Sequence, residues 1–197
     1  FPETFAGVWS TAPDPVDFRD FQRINLYRSG VNMYVDDNRQ RRPLAVGEGR
    51  VLIWYDDFAW LEHVLGHGGQ LHSFEAVFSP RGSDGGPQLL WDRQTGVVDA
   101  RVARHWEAYD IRLVLERNWD RLGPQLEGKL HVFMGSDDTF LLEGATRLLA
   151  ESLQKLGSDA VVEIHPGRDH GTLVGRELRD RIRREMTASF LMAFPNW

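Results

Sequence analysis

The chain has 197 residues, 42% hydrophobic and 26% charged, which is enough to bury one sizeable core and fits one domain or most of one. A formal net charge of −6 argues against a general nucleic-acid binder, because phosphate binding relies on clustered Lys and Arg. No apolar run is long enough to span a bilayer, Phe1-Pro2-Glu3 does not begin an export signal, and zero cysteine rules out disulfides, thiolate ligands and a cysteine nucleophile in this chain. A soluble protein, cytoplasmic or exported, fits equally well.

In chain order, Phe5-Ala6-Gly7-Val8-Trp9-Ser10 reads as a short buried strand, stopped by Ala12-Pro13-Asp14-Pro15, whose prolines lack the donor that a central strand needs. Residues 18–128 are less regular, with turn clusters at Ser29-Gly30, Gly66 to Gly69 and Pro80 to Pro87, and aromatic residues throughout. A segment of that length between two core strands must contain helices of its own, and it is placed to cover one end of the sheet. Its best helical candidate runs from Arg101 to Leu122, and Trp60 and Trp91 are its candidate pocket-lining residues. From Leu130 onward the pattern is clean. A strand at Leu130 to Met134 leads through Gly135-Ser136-Asp137-Asp138 into a helix from about Phe140 to Leu156, capped by Gly157. A strand at Val161 to Ile164 and an amphipathic helix from about Arg176 to Phe194 follow. The run of charges from Arg176 to Arg184 is explained as a solvated helix face, with Glu177 to Arg181 and Asp180 to Arg184 as pairs four apart and Leu178, Ile182, Met186 and Phe190 as the apolar stripe. Alternation of strand and helix implies an α/β fold, with a mostly parallel sheet flanked by helices and a long insertion before the penultimate strand.

Two turns carry the chemistry. Gly135-Ser136-Asp137-Asp138-Thr139-Phe140-Leu141 follows one strand, and Pro166-Gly167-Arg168-Asp169-His170-Gly171 follows the next. Loops at the carboxyl ends of parallel strands are where ligands and catalytic groups gather, so an Asp on one and a His on the other can meet. The order Asp then His fits the α/β-hydrolase arrangement, whose nucleophile precedes both on a Gly-x-Ser-x-Gly turn. No such pentapeptide occurs here, and Gly82-Ser83-Asp84-Gly85-Gly86 has the wrong spacing and no leading strand. The expectation is that the nucleophile lies upstream of Phe1. His170 is the candidate base and Asp138 the candidate acid. Asp137 is the alternative, better suited to capping the helix near Phe140, and Asp169 is adjacent to His170 and poorly placed to reach round to its ring. Gly167 and Gly171 allow the tight loop. His131 and His165 lack partner motifs and read as structural, and Asp14 and Asp17 read as caps.

Gly-x-x-Asp-x-Phe-Leu, here Gly135 to Leu141, followed by Gly-x-Asp-His, here Gly167 to His170, resembles the esterase D and S-formylglutathione hydrolase group of esterases. The start, Ser10-Thr11-Ala12-Pro13-Asp14-Pro15-Val16-Asp17, resembles the segment after the nucleophile helix in bacterial members. The resemblance covers both ends of the chain and is weakest in the middle. It implies an α/β-hydrolase fold of which this chain is the C-terminal portion, and ester hydrolysis through Ser, Asp and His. The group's Gly-x-Ser-x-Gly and early oxyanion-hole segment have no counterpart here. The expected partner is a small-molecule ester. An acyltransferase with the same triad, or a non-catalytic hydrolase-like binding module, are the alternatives. A strand edge left bare by a missing half-sheet also invites pairing with a second copy as a homodimer. His63, His67 and His72 are spaced like metal ligands, but Val64 stands where a metalloprotease needs Glu and Gly66-His67-Gly68-Gly69 breaks the helix, so no metal or cofactor is expected.

Overall fold

The computed structural model describes residues 2–66 and 68–195. Three strands form a parallel sheet in the order β1-β4-β5, from β1 (Val8–Thr11), β4 (Leu130–Gly135) and β5 (Val161–His165). Val8 pairs with Leu130, and His131 pairs with Val161, so all three carboxyl ends lie on one edge. Between β1 and β4 come a hairpin, β2 (Pro43–Gly47) and β3 (Arg50–Trp54), then α1 (Tyr55–Leu65), α2 (Gln70–Phe78), α3 (Ala100–Trp106) and α4 (Ile111–Leu126). After β4 come α5 (Glu143–Lys155) and, beyond β5, α6 (Arg176–Ala193). The result is a mixed α/β architecture with a parallel sheet flanked by helices.

The alternation of side chains across the sheet decides which helix covers which face. Leu130 and Val162 point into a cluster with Ala145, Leu149 and Leu153 of α5 and Leu115 of α4. Phe133 and Trp9 point the other way, into a cluster with Leu178 and Ile182 of α6. On that second face Trp9 stacks on His131 at 4.7 Å and donates from Nε1 to Glu185. Arg181 reaches from α6 to both carboxylate oxygens of Glu163 on β5, and also to Glu185. This replaces the expected Glu177 to Arg181 pairing, because a two-pronged contact to the strand is stronger than an exposed pair along the helix. Asp180 likewise lies beside Arg179 and Arg183 rather than Arg184, and Met186 and Phe190, expected on the apolar stripe, are exposed.

Residues 18–106 carry a hydrophobic core of their own around Phe18, Phe21, Tyr55, Trp91 and Trp106, and Phe140 packs against it. The single helix expected from Arg101 to Leu122 is two helices. Asp99 caps α3 and Asp110 caps α4, accepting from Leu113 N at 2.9 Å with its own backbone extended, so the helix cannot run through it. Within α4, Asn118 leaves helical geometry and its side chain donates to the Val114 carbonyl. α5 begins at Glu143 rather than near Phe140, since Leu141 at φ 60° interrupts any helical path. Gly157, at φ 69°, ends it as expected.

The segment after β1 is tied to α4 by buried charge. Arg112, 7% exposed, lies 3.3 Å from Asp17 and 3.6 Å from Asp110, both carboxylates being fully buried. Asp110 also accepts from Phe18 N and the Tyr27 hydroxyl. Burial pushes the Asp17 carboxyl up, but hydrogen bonds from Arg19 and the charge of Arg112 outweigh it and hold it below its ordinary 3.8. A depressed carboxyl stabilises the fold above the unfolded value and loses that contribution as pH falls through the folded one, so this tie weakens only below about pH 4. Arg112→Met takes the cation from buried Asp110 and leaves Asp17 with Arg19 alone, and is expected to destabilise by about 3 kcal/mol at pH 7. The deficit should shrink on acidification, measured by denaturant titration at pH 7 and at about pH 3. A loss that is constant with pH would assign the role to packing alone.

Candidate active site

Asp138 and His170 come from the loops after β4 and β5, and they meet. Asp138 Oδ2 lies 2.9 Å from His170 Nδ1, with the carboxylate fully buried and the imidazole 38% exposed. The other carboxylate oxygen accepts from Phe140 N at 2.9 Å and closes the turn that carries it. An ionised carboxylate can only accept, so Nδ1 carries the proton and Nε2 is left with its basic lone pair. Nε2 has no hydrogen-bond partner among the described residues. Phe140 packs edge-on against the imidazole at 4.9 Å and 84°, which fixes the plane of the ring.

The insertion pins the Asp138 loop from outside. Val46 of β2 donates to the Thr139 carbonyl at 2.8 Å, and Gln22 Nε2 donates to the Phe140 carbonyl at 3.1 Å. Arg23 pairs with Glu143 at the start of α5. The His170 loop is held by the end of β4. Ser136 N donates to the His165 carbonyl, and Asp137 N to the Arg168 carbonyl, each at 3.0 Å. Gly135 makes this approach possible, because a Cβ there would lie 2.7 Å from the Arg168 carbonyl carbon and nearer still to its oxygen. Gly167, at φ 67°, adopts a conformation that favours glycine, whereas Gly171 does not.

The alternative acids have other work. Asp137 is exposed and accepts from the Ser136 hydroxyl; it caps no helix, contrary to the expectation, because the turn is closed by Asp138 itself. Asp169 accepts from the backbone N and hydroxyl of Thr172, which hold its carboxyl below the ordinary range. His131 stacks on Trp9, and His165 lies against Phe133 on the α6 face. His63 stacks on Trp60, His72 lies 3.7 Å from Glu62, and His67 is outside the described residues.

His170 opens onto a cavity of about 80 Å³. Its apolar wall is Phe58 of α1, Leu71 and Phe74 of α2, and Phe140, while Asp14, Gln22 and Gln70 supply polar groups. The insertion therefore covers the carboxyl edge of the sheet, but not through the expected tryptophans. Trp91 is buried in the insertion's own core, donating to the Tyr34 hydroxyl, and Trp60 points to solvent, 60% exposed. Asp14 does not act as a cap. It lies on the loop after β1, and burial there holds its carboxyl above the usual range, partly offset by His170. The rule that placed Asp138 and His170 on carboxyl-end loops applies equally to the first strand, and it was the available signal for Asp14. Among the described residues, no serine, threonine or cysteine lines the cavity. Ser136, the serine nearest in sequence to Asp138, spends its hydroxyl on Asp137 and on Gly167 N.

Comparison with family models, with curated proteins and with solved structures gives no match.

What the residues can do chemically follows from the geometry alone. A buried carboxylate orients a partly exposed imidazole whose free nitrogen is available to take a proton at a small cavity of mixed polar and apolar lining. Such a pair has the geometry in which a carboxylate can orient a general base, and among the described residues nothing lining the cavity offers a hydroxyl or thiol.

Proposed function

We propose that this chain carries the acid and base of a serine-type carboxylic ester hydrolase of the α/β-hydrolase fold, with Asp138 orienting and His170 acting as general base and then general acid. The single observation that carries the reading is the 2.9 Å contact between Asp138 and His170 Nδ1 at the mouth of a cavity. A serine hydroxyl is a poor nucleophile until a neutral imidazole takes its proton, and the tautomer imposed by Asp138 leaves Nε2 free to do so. As the acyl–oxygen bond breaks, the imidazolium returns the proton to the departing alkoxide, and the same base then activates water for deacylation. An acyltransferase would differ only in the acceptor.

The serine is proposed to lie outside residues 1–197. β1 is one of the two outer strands of the sheet. Val8 N donates inward to the Lys129 carbonyl beside β4 and Ala12 N to the Phe133 carbonyl within it, so by alternation the N–H groups of Trp9 and Thr11 face an edge that no strand among the described residues covers. A preceding strand ending in Gly-x-Ser-x-Gly would add there in parallel, bringing its turn to the edge where His170 waits. The cavity without a nucleophile also favours a second reading, a hydrolase-like module that binds but does not cleave.

A fluorophosphonate probe separates them. Applied to the protein extended upstream of Phe1, it should label one serine outside residues 1–197, and His170→Ala should suppress the labelling. The isolated chain should not turn over p-nitrophenyl esters. A labelled serine within residues 1–197 would overturn the placement of the nucleophile; no labelling of the extended protein would favour the binding module.

A further inference from the structure

Beside the Asp138 loop, Gln22 reaches the cavity from a turn built of residues that seldom adopt its conformation. Phe21 and Ile24 exchange backbone hydrogen bonds of 2.8 and 3.1 Å, closing a two-residue turn whose central residues, Gln22 and Arg23, lie at φ 53° and 69°. Such turns favour Asn and Gly. Residues with long side chains hold this backbone only where their surroundings over-determine it, and such positions cluster at functional sites. Here Arg23 is held by its ion pair to Glu143 and by its N–H on Asp20, while Gln22 is held through its side chain.

The orientation of that amide is decided by its neighbours. The Phe140 carbonyl can only accept, so the Gln22 nitrogen must face it, and the amide oxygen then accepts from the Tyr55 hydroxyl at 3.1 Å. Tyr55 is fully buried and burial keeps its hydroxyl protonated, so it remains a donor. A primary amide carries two N–H donors. One is spent on Phe140; the other has no partner among the described residues, and Gln22 lines the cavity alongside His170.

We propose that Gln22 is a specificity-determining residue whose second amide N–H donates to a neutral oxygen acceptor, a carbonyl or hydroxyl oxygen, of the molecule bound beside His170. The inference rests on the cavity being the substrate site, but not on where the serine lies. Because Tyr55 and Phe140 hold the amide from both ends, the donor is aimed before the ligand arrives and little side-chain freedom is lost on binding. A ligand without an oxygen at that place leaves the donor unpaired in an enclosed site, which is the basis of discrimination.

The test uses the 197-residue chain and reads binding rather than turnover. Ethyl acetate is titrated into protein labelled with ¹⁵N, and the side-chain amide of Gln22 is followed with the ring of His170. Two variants accompany it. Gln22→Met keeps the length and removes the donor; Gln22→Asn draws the amide back by one methylene while suiting the left-handed turn better. The expected result is that ethyl acetate shifts the Gln22 amide, and that both variants bind it about tenfold more weakly, the scale of one hydrogen bond. Gln22→Asn relieves the turn but gives up the bonds to Tyr55 and Phe140, so it should melt below the parent yet remain folded, and that variant decides the case if Gln22→Met fails to fold. A purely structural Gln22 predicts the reverse for Gln22→Asn, an intact fold with unchanged affinity, and that outcome overturns the proposal. Ethyl acetate that shifts His170 but not the Gln22 amide also overturns it while leaving the site reading in place; ethyl acetate that shifts neither overturns both.

Discussion

Asp138→Asn in the protein that includes the nucleophile is expected to lower turnover by about 10⁴, the loss known when the orienting carboxylate of a serine-protease triad becomes an amide. The shape is preserved, but an amide can present N–H to Nδ1, and the imidazole then carries its proton on the wrong nitrogen. The turn itself should survive, because the remaining amide oxygen can still accept from Phe140 N, as Oδ1 does at 2.9 Å in the parent. His170→Ala should lose at least as much, and the double variant no more than the worse single one, since residues that act as a unit fail together. Asp137→Asn is the control. Its carboxylate is exposed and takes only the Ser136 hydroxyl, so near-normal turnover and melting temperature are expected. Activity lost in Asp137→Asn and kept in Asp138→Asn would move the acid by one residue; activity kept in all three would end the triad reading.

The parts of the fold that the sequence made legible are those where one local rule acts alone. The final strand, helix, strand, helix run shows in apolar periodicity because each element buries a single face against the sheet. The boundaries that moved were moved by side chains acting at a distance. Asp110 splits a helical pattern because its carboxylate also serves Phe18, Tyr27 and Arg112, partners up to 92 residues away. Leu141 is an unremarkable residue in any helical window, and only the closure of the Asp138 turn forces it to φ 60°. The β2–β3 hairpin was missed for a different reason. Its turn is Glu48-Gly49, both at positive φ, where a Gly at the second position was the one signal, and its strands are amphipathic only in part.

The candidate site divides the same way. Asp138 and His170 could be placed together because each follows a recognisable strand, and parallel pairing brings consecutive strand ends to one edge. The cavity wall was not legible, because it comes from a segment folded around a separate core, and nothing local in Phe58, Phe74 or Gln22 distinguishes a wall residue from a core residue. Aromatic content pointed to the right region and the wrong side chains: the bulkiest rings, Trp91 and Trp106, went to the insertion's own core, where the most area is buried, and left smaller phenyl rings at the cavity.

The second large effect is expected at a residue that touches neither substrate nor proton. Gly135→Ala places a methyl group 2.7 Å from the Arg168 carbonyl carbon, two residues before His170. The obstruction is backbone, so no side chain can swing aside; either β4 or the His170 loop must retreat. β4 is the central strand of the sheet, paired on both sides, and its end is buried, whereas the loop is exposed and, beyond its base at His165 and Gly167, is tied to the turn after β4 by the Asp137 N to Arg168 carbonyl bond that the methyl would break. The loop therefore moves, and His170 leaves Asp138. A misplacement of about 1 Å can cost 10²-fold in rate, so turnover should fall at least that far, towards the loss from Asp138→Asn if the hydrogen bond parts altogether. Stability should fall by only about 1–3 kcal/mol, as for other overpacked sites. The separating measurement is the imidazole ¹⁵N spectrum of the 197-residue chain. The parent should show Nδ1 protonated and hydrogen-bonded, and Gly135→Ala should show tautomers in exchange while the protein remains folded. An unchanged imidazole spectrum in a folded Gly135→Ala chain would mean that the loop reaches Asp138 without the space glycine leaves, and the account of why a glycine opens this turn would be wrong.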